Sequence, residues 1–476
     1  MADIVETETQ LERTLGLSAA MMIGIGTMIG AGIFVLPGSA ADIAGPAVVI
    51  SFLVGGVIAL FTALSASELA TAMPSAGGSY HFINRGLGPI FGAISGVGNW
   101  VGLAFASAFY VIGFGSYLGL LIGAFVSAPS ITIGPILINE AQIGGLAAGT
   151  IFIGINYFST EGTGTIQNLI VYGLLGILAV FVVLGTVAAD VSTLRPIAPE
   201  GWGSVLPGTA LVFVSYLGFV KITTVAGEIK NPSRNLPIAI VGSVLIVTLM
   251  YGIVMVVVLG IVERSVIAGS ETAVADVAGL LFDSYFGYSA LGIGLLTIAG
   301  LLATASSANA SILAASRISY AMGRDGIITP WMNVIHDRFK TPTRAIVVTG
   351  IMILFLVLIG DVGILARSAS VLHLVVYGIL NIALIVLRES GDPNYSPTFT
   401  VPFYPWIPAI GAISSFGLIA FMDAIEIALA VGLIAIGILW YFVYARDRTT
   451  DTSALARYRS PDSFETEVTV TTMEEE

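Results

Sequence analysis

Residues 24–34 of the chain read Gly24-Ile25-Gly26-Thr27-Met28-Ile29-Gly30-Ala31-Gly32-Ile33-Phe34 and lie inside its first hydrophobic segment. Glycine is less favourable than alanine inside a helix by about 1 kcal/mol. Four glycines within nine residues therefore predict a break in this helix. Irregular backbone at membrane depth is tolerated only where it lines a cavity or is buried in protein. The N–H groups that start the second half-helix attract anions, including carboxylates, so this stretch predicts a binding site near the middle of a bilayer.

The composition is that of an integral membrane protein. The 476 residues are 56% hydrophobic and only 10% charged, whereas soluble proteins carry about 25% charged residues. A spanning helix needs about 20 mostly apolar residues. Twelve segments meet this requirement, at 17–43, 46–70, 89–123, 142–158, 164–188, 206–226, 237–261, 287–321, 343–360, 365–387, 404–422 and 424–445. The expected fold is an all-α integral membrane protein with about twelve transmembrane helices.

The distribution of basic residues predicts the orientation. If both termini are cytoplasmic, fourteen of the eighteen basic residues lie inside, three lie outside, and Lys221 falls within a helix. An excess of Lys and Arg in cytoplasmic segments is the usual pattern of membrane proteins. We therefore expect a multi-pass protein of the plasma membrane with cytoplasmic tails at 1–16 and 447–476. The second tail holds eight acidic residues, which predicts disorder.

Several classes of protein have no support in the sequence. The chain has no cysteine, so it has neither disulfides nor thiolate metal sites, and its three histidines form no ligand pattern. No Walker sequence indicates ATP-driven transport, and no paired histidines and carboxylates indicate a membrane-embedded hydrolase. The basic residues are scattered along the predicted cytoplasmic loops, which indicates a role in membrane orientation and not in nucleic-acid binding. A net charge of −12 with three lysines suits a halophilic, archaeal source, although the acidic tail explains much of this charge.

An internal repeat is suggested by Gly218 in the sixth segment, which precedes Phe219 much as Gly32 precedes Phe34. Five hydrophobic segments begin between the two glycines. An odd number of segments inverts the second copy of a repeat relative to the first, and paired interrupted helices are a pointer to a transporter site. The units would be residues 17–188 and 206–390, followed by two helices within 401–446. The alternative is that Gly218 only permits close helix packing.

Four motifs occur in order among the twelve segments. They are Ile29 to Phe34, Glu68 with Met73 to Tyr80, Tyr216 to Phe219 running on to Glu228-Ile229-Lys230-Asn231-Pro232, and Ser316-Arg317 with Ala321 to Gly326. In this order the motifs resemble those of the amino acid–polyamine–organocation (APC) superfamily. The resemblance implies an inverted repeat of five helices, the leucine-transporter-type fold, plus two C-terminal helices. It also implies a secondary transporter that moves amino acids by alternating access.

The resemblance implies where an amino acid would bind. Its carboxylate would meet the backbone amides of Ala31, Gly32 and Ile33 at the first break. Its α-ammonium group would meet the carbonyls of Val214 and Leu217 at the second break, with Ser215 nearby. Both substrate charges would then be met by backbone dipoles, so that no ionised side chain has to be desolvated.

Two residues after Gly218 bear on the side chain of the substrate. The family often has an acid where this chain has Val220, so the sequence favours neutral amino acids over cationic ones. Lys221 follows and has two interpretations. In the first, which the sequence favours, it extends to water or pairs with Glu228. In the second it acts as a gating or titrating group, as intramembrane ionisable residues often do.

The coupling ion is predicted from the eighth segment. Ala303, Ser306 and Ser307 share one helix face by their spacing of three and four. In sodium-coupled relatives such residues hold Na⁺ together with carbonyls of segment one, here Gly26 and Ile29 by position. Some proton-coupled members have a lysine in segment five instead, and none lies between residues 166 and 186. Sodium coupling is favoured over proton coupling, and both over uncoupled exchange. The alternative for the serines is bonding back to their own helix.

Other functions stay open at this point. The chain would be a monomer or homodimer with an amino acid substrate and the lipid bilayer as its partners, and no cofactor beyond Na⁺ or H⁺. A sensor that binds without transport would need a large signalling domain, for which the acidic tail is too short. A helper or channel-like subunit, or an uncoupled amino acid or polyamine exchanger, is a further alternative. Two breaks indicate one occluded site and not a continuous pore.

Overall fold

A computed structural model of the protein describes residues 13–74, 77–123, 131–133, 136–158, 163–392 and 395–459. This part of the chain is almost entirely helical, which confirms the all-α prediction. The exception is a pair of three-residue antiparallel strands, β1 (Ile131–Ile133) and β2 (Ile136–Ile138). Most of the predicted N-terminal tail and residues 460–476 of the acidic tail lie outside the described residues.

Seven α-helices lie in the described residues of the first half of the chain. They are α1 (Leu17–Met28), α2 (Ala31–Ala44), α3 (Val48–Ala72), α4 (Gly78–Leu87), α5 (Pro89–Gly123), α6 (Glu140–Phe158) and α7 (Thr163–Ala188). Short 3₁₀ turns lie at Gly45–Ala47, Val191–Leu194 and Trp202–Ser204.

The second half begins with a helix that is broken into pieces. These are α8 (Val205–Val212), a 3₁₀ turn at Phe213–Tyr216, and α9 (Lys221–Thr224). The remaining helices are α10 (Pro232–Ile261), α11 (Arg264–Ile267), α12 (Ala273–Phe286), α13 (Ser289–Arg324), α14 (Thr343–Ile359), α15 (Val362–Glu389), α16 (Trp406–Ile419), α17 (Ala424–Trp440) and α18 (Ala454–Arg459). Further 3₁₀ turns lie at Ala226–Glu228 and Pro330–Asn333, and a π-turn at Tyr441–Ala445.

The helices account for the twelve predicted segments. Within the described residues, nine are long and apolar enough to cross a membrane, and two shorter apolar helices are α14 and α16. The first of the nine, Leu17–Ala72, has 56 residues, which would be roughly 84 Å of continuous helix against a hydrocarbon core of about 30 Å. It must therefore cross twice, and it turns at Gly45, where φ is +57°. The chain is accordingly a multi-pass membrane protein.

Burial separates a central group of helices from a peripheral one. Most of Trp202–Thr224 and of α15 is buried, whereas few residues of the span Ala424–Ala445 are buried, as expected for a helix that faces lipid. α5 contacts α6, α13 and α15, and α10 contacts α1 and α3. The two broken helices therefore lie inside a ring of unbroken ones. The inverted relation of residues 17–188 to 206–390 stays a prediction.

The segment after α17 differs from its prediction. Residues 447–476 were expected to be disordered, yet α18 contacts α4 and α15. Arg457 Nη1 lies 2.8 Å from Asp392 Oδ1 in a partly buried ion pair, and Ser453 and Ala454 are buried. Packing of this small apolar and charged patch is what orders residues 451–459. Residues 451–459 are thus packed against the rest of the described structure, and the predicted disorder of the tail as a whole stays a prediction.

Candidate functional site

The first break lies where the glycines predict it. α1 ends at Met28 and α2 begins at Ala31, so the helix is interrupted at Ile29 and Gly30. The backbone of Gly30 (φ −125°, ψ −147°) is non-helical. Because the first amides of any helix have no acceptor within that helix, the amides of Ala31, Gly32 and Ile33 are presented at this break, as predicted.

The second break is longer than the sequence suggests. α8 tightens into the 3₁₀ turn at Phe213–Tyr216, and the helix resumes only at Lys221. Val214, Ser215 and Leu217 all lie in this interrupted stretch and are buried. The Val214 carbonyl accepts a 3.3 Å hydrogen bond from the Leu217 amide, so part of its bonding capacity is used within the turn.

Glycines bring the two breaks into direct contact. A Cβ atom added at Gly32 would stand 2.0 Å from Ser215 Oγ and 2.9 Å from Ser215 Cα. One added at Gly218 would stand 2.6 Å from the Met28 amide nitrogen. Real Cβ atoms essentially never approach so closely, so both positions require glycine. The structure thus juxtaposes the predicted carboxylate site and the predicted ammonium site.

Two side chains hold the breaks together. Tyr251 of α10 donates its hydroxyl to the Met28 carbonyl, and its oxygen lies 3.3 Å from the Ser215 carbonyl. The Thr27 hydroxyl oxygen lies 2.7 Å from the Ile23 carbonyl oxygen of its own helix and 3.1 Å from the Gly218 carbonyl oxygen across the interface, so these two acceptors share its proton. Carbonyls freed by the interruptions are in this way satisfied by neighbouring helices, which is what a buried, broken backbone needs.

Ser215 is the most informative polar side chain at the site. It is 1% exposed, and its Oγ has no hydrogen-bond partner in the described residues. An unsatisfied buried hydroxyl costs about 1–3 kcal/mol, so its retention needs a reason. The atom faces Gly32 in the first turn of α2. The amides and this hydroxyl form a donor set suited to a carboxylate.

Two of the residues predicted to hold an ion, Ala303 and Ser307 of α13, lie next to the first break. Ser307 Oγ lies 3.5 Å from the Thr27 carbonyl oxygen, and a Cβ added at Gly30 would meet Ser307 Oγ at 2.2 Å and the Ala303 carbonyl oxygen at 3.7 Å. Ala303, Ser306 and Ser307 are all buried, as are Gly26 and Ile29 of the first break. The carbonyl that approaches Ser307 is that of Thr27, a residue that the sequence reasoning did not select.

Lys221 does not lie where we expected it. Its side chain is 7% exposed, and its Nζ donates to Ser311 Oγ of α13 at 2.7 Å. The Tyr110 ring centroid lies 5.8 Å from the same atom. Lys221 therefore does not pair with Glu228, because α9 directs it inward between α1 and α13, where it lines two cavities. The predicted pairing with Glu228 was wrong.

Glu68, one of the motif residues, lies at the centre of a buried hydrogen-bond network. It is fully buried and forms a two-pronged ion pair with Arg388 of α15. The Tyr395 hydroxyl donates to Glu68 Oε1 at 2.8 Å, and the Val401 amide donates to Oε2 at 2.6 Å. Four donors on one carboxylate tie the end of α3 to α15 and to the segment that follows it.

One end of the site is closed by packed side chains. The Tyr117 hydroxyl of α5 donates to the Phe34 carbonyl of α2 at 2.7 Å, and Ser116 donates to Glu271 in the loop before α12. Burial raises the pKa of the Glu271 carboxyl, as does nearby Asp361, while the hydrogen bond from Ser116 lowers it. Gly38 of α2 packs directly on the Ser270 carbonyl. This network seals the side of the breaks away from Lys221.

Sequence reasoning missed Thr27, Tyr251 and Ser311. A tyrosine or a small hydroxyl residue in an apolar run is ordinary in membrane helices, so no local signal marks these positions. Thr27 was within the quoted glycine stretch, and its place between two predicted ion ligands could have drawn attention to it.

Comparison with known proteins identifies the family of this chain. Residues 15–450 match the protein family described as amino acid permease. A branched-chain amino acid permease of Bacillus subtilis is 28% identical over 92% of this chain and 94% of its own length. A methylthioribose transporter of the same organism is 28% identical over the same shares, and a branched-chain amino acid permease of Lactococcus lactis is 29% identical over 90% and 93%. The chain therefore belongs to the amino acid permease family of the APC superfamily, and it is a membrane transporter and not an enzyme.

Proposed function

We propose that this protein is a secondary active permease that moves neutral amino acids across the plasma membrane by alternating access, with both termini in the cytoplasm. The observation that carries the proposal is the contact between the two breaks. The first-turn amides of α2 and the unpartnered hydroxyl of Ser215 converge at Gly32. A carboxylate placed there would satisfy Ser215 and meet the positive end of a 14-residue helix.

The preference for neutral side chains rests on two residues. Val220 is buried where an acid could have paired with a cationic substrate, and Lys221 next to it directs a positive charge into the same region. Both Val220 and Lys221 line a small cavity with Leu217. A substrate with an arginine or lysine side chain would meet a like charge there. Branched-chain permeases among the relatives are consistent with an apolar side chain.

Sodium coupling is the first candidate for the driving ion. The oxygens of Ser307 and Thr27 and the carbonyl of Ala303 approach each other next to Gly30. Neutral oxygens are the ligands that a hard cation such as Na⁺ prefers. The site would take the ion from outside together with the amino acid.

Proton coupling is the second candidate, and Lys221 favours it. Lys221 bonds to Ser311, which lies one helical turn, roughly 6 Å, from Ser307. Two unit positive charges about 6 Å apart repel each other by on the order of 3 kcal/mol at an effective dielectric constant near 20. A charged Lys221 and a bound Na⁺ would therefore oppose each other.

The test is uptake of labelled amino acids into proteoliposomes, with sodium and proton gradients imposed separately. We expect leucine, valine and alanine to be taken up or to compete, and arginine and lysine to compete poorly. Gly32→Leu protein and empty liposomes are the controls for specific uptake. Competition by arginine with none by alanine, leucine or phenylalanine would contradict the neutral preference. Uptake that follows a pH gradient and ignores sodium would select the second candidate ion.

A further inference from the structure

A cavity of 140 Å³ lies between α1, α9 and α13, on the opposite side of the breaks from the Glu271 closure. Its polar or charged lining residues are Thr27, Lys221, Thr224, Asn309 and Arg317. Since one water needs at least about 10–15 Å³ of such space, the cavity holds several waters or one small organic ion. We call it the basic chamber.

The charges of the basic chamber have one sign. Among the described residues that line it, Lys221 and Arg317 are positive and none is acidic. Lys221 has three N–H donors, and in the described residues its hydrogen-bond acceptor is the neutral hydroxyl of Ser311. Glu228 is the carboxylate that acts electrostatically on Arg317, and it does not line the chamber. Lys221 is buried whereas Arg317 is exposed, and because buried charges are usually paired, the chamber lacks an anion beside Lys221.

The basic chamber adjoins the breaks. Thr27, one of its walls, bonds to the Gly218 carbonyl, and Lys221 also lines the small cavity that contains Leu217. A ligand that leaves the first turn of α2 on this side would reach Lys221 next. The chamber therefore lies on a path from the proposed carboxylate site toward the end of the protein that holds Arg317.

We propose that the basic chamber is a second binding station, in which Lys221 and Arg317 hold the carboxylate of the amino acid after it leaves the amides of α2. The proposal rests on the function proposed above and adds a distinct site to it. The chemistry is that of a small carboxylate. An inorganic anion such as chloride is the other source of the same charge, and the experiment separates the two.

The experiment uses the absence of cysteine from the chain. Ala310 lines the chamber, and Ala310→Cys places a single thiol there. Its alkylation is measured in the full-length protein with an anionic and a cationic methanethiosulfonate reagent of similar size. We expect the anionic reagent to react faster, and the ratio of the two rates to fall by about tenfold or more with Lys221→Met, because one unit charge is removed at short range. Lys230→Met, the same change at an exposed lysine, should leave the ratio unchanged.

The ligand is tested by protection against a neutral maleimide. 3-Methylbutanoate, which keeps a carboxylate but has no amine, should slow the reaction, and 3-methylbutylamine should not. Protection by 3-methylbutanoate should persist with Gly32→Leu, which blocks the site at the breaks, and should be lost with Lys221→Met. Lys221→Gln, which can still donate to Ser311, replaces Lys221→Met if that variant is not monodisperse.

The outcomes decide the proposal independently of transport. Equal rates for the two charged reagents, or no protection by 3-methylbutanoate, would overturn it. Protection by chloride equal to that by the carboxylate would assign the chamber to an inorganic anion and overturn the second station. If amino acid uptake fails while carboxylate protection persists, the proposed function is wrong and the chamber stands as a carboxylate site.

Discussion

At the scale of single residues, the site depends on glycines, because they have no Cβ atom and so allow close contact between backbones. Gly32 and Gly218 let one broken helix approach the other to distances that no side chain permits, and Gly30 does the same for the first break and α13. Ser215, in contrast, has a buried hydroxyl that forms no hydrogen bond within the described residues. Close backbone contact and one unsatisfied donor together leave the site ready for a ligand.

Gly32→Ala should already abolish substrate binding. The new Cβ would overlap Ser215, including its Cα atom, so that the start of α2 must move away. Equilibrium binding of labelled leucine to the purified variant is the measurement. Gly242→Ala is the matched control, because its Cβ would meet only Met21 Cε at an ordinary 3.5 Å. Unchanged affinity in Gly32→Ala would contradict the carboxylate assignment.

Glu68→Gln should lower the free energy of unfolding by about 3–5 kcal/mol, because it leaves Arg388 without its buried partner. The measurement is the thermal unfolding of the detergent-solubilised protein. Glu200→Gln, which breaks the exposed pair with Arg264, should change stability by less than about 1 kcal/mol. Equal effects of the two substitutions would show that the Glu68 network does not stabilise the fold.

At the scale of helices, the sequence predicts the first break better than the second. Four glycines have few uses in a helix other than to interrupt it, and α1 ends within that stretch. The second break carries only Gly218, and its 3₁₀ turn at Phe213–Tyr216 depends on tertiary contacts with α3 and α15. The sequence analysis missed α4 and α12 because they are only moderately apolar and are too short to span a bilayer. Lys221 was misplaced because its direction depends on where α9 begins after the break.

The face of α13 toward the first break carries the sodium hypothesis. Replacing Ser306 and Ser307 by alanine removes two neutral oxygens from the proposed site, and helix propensity rises slightly with the same change. Sodium-stimulated uptake should be lost or should need far more sodium. Ser316→Ala with Ser319→Ala is the control, because these serines bond back to their own helix farther along α13. An undiminished sodium dependence in the first double variant would remove Ser306 and Ser307 from the ion site.

At the scale of the whole molecule, the two sides of the breaks differ. One side is closed by Tyr117, Ser116 and Glu271, while the other contains the basic chamber. α5 and α13 span about 53 and 54 Å at 1.5 Å per residue, so they pass both the closure and the chamber. In a motion that opens one side and closes the other, these two long helices would therefore be the fixed frame against which the other helices move.

The use of backbone dipoles at the breaks has an electrical consequence. Membrane voltage does work on net charge, about 2.3 kcal/mol per elementary charge for 100 mV. A neutral amino acid is a zwitterion, and the amides and carbonyls proposed to hold it carry no net charge either. Membrane voltage therefore does no net work on the bound substrate. Any current that accompanies uptake gives the number of coupling cations that move with each amino acid. Recordings on solid-supported membranes, calibrated with labelled leucine, should give about one elementary charge per amino acid, whereas electrically silent uptake would mean exchange without an ion.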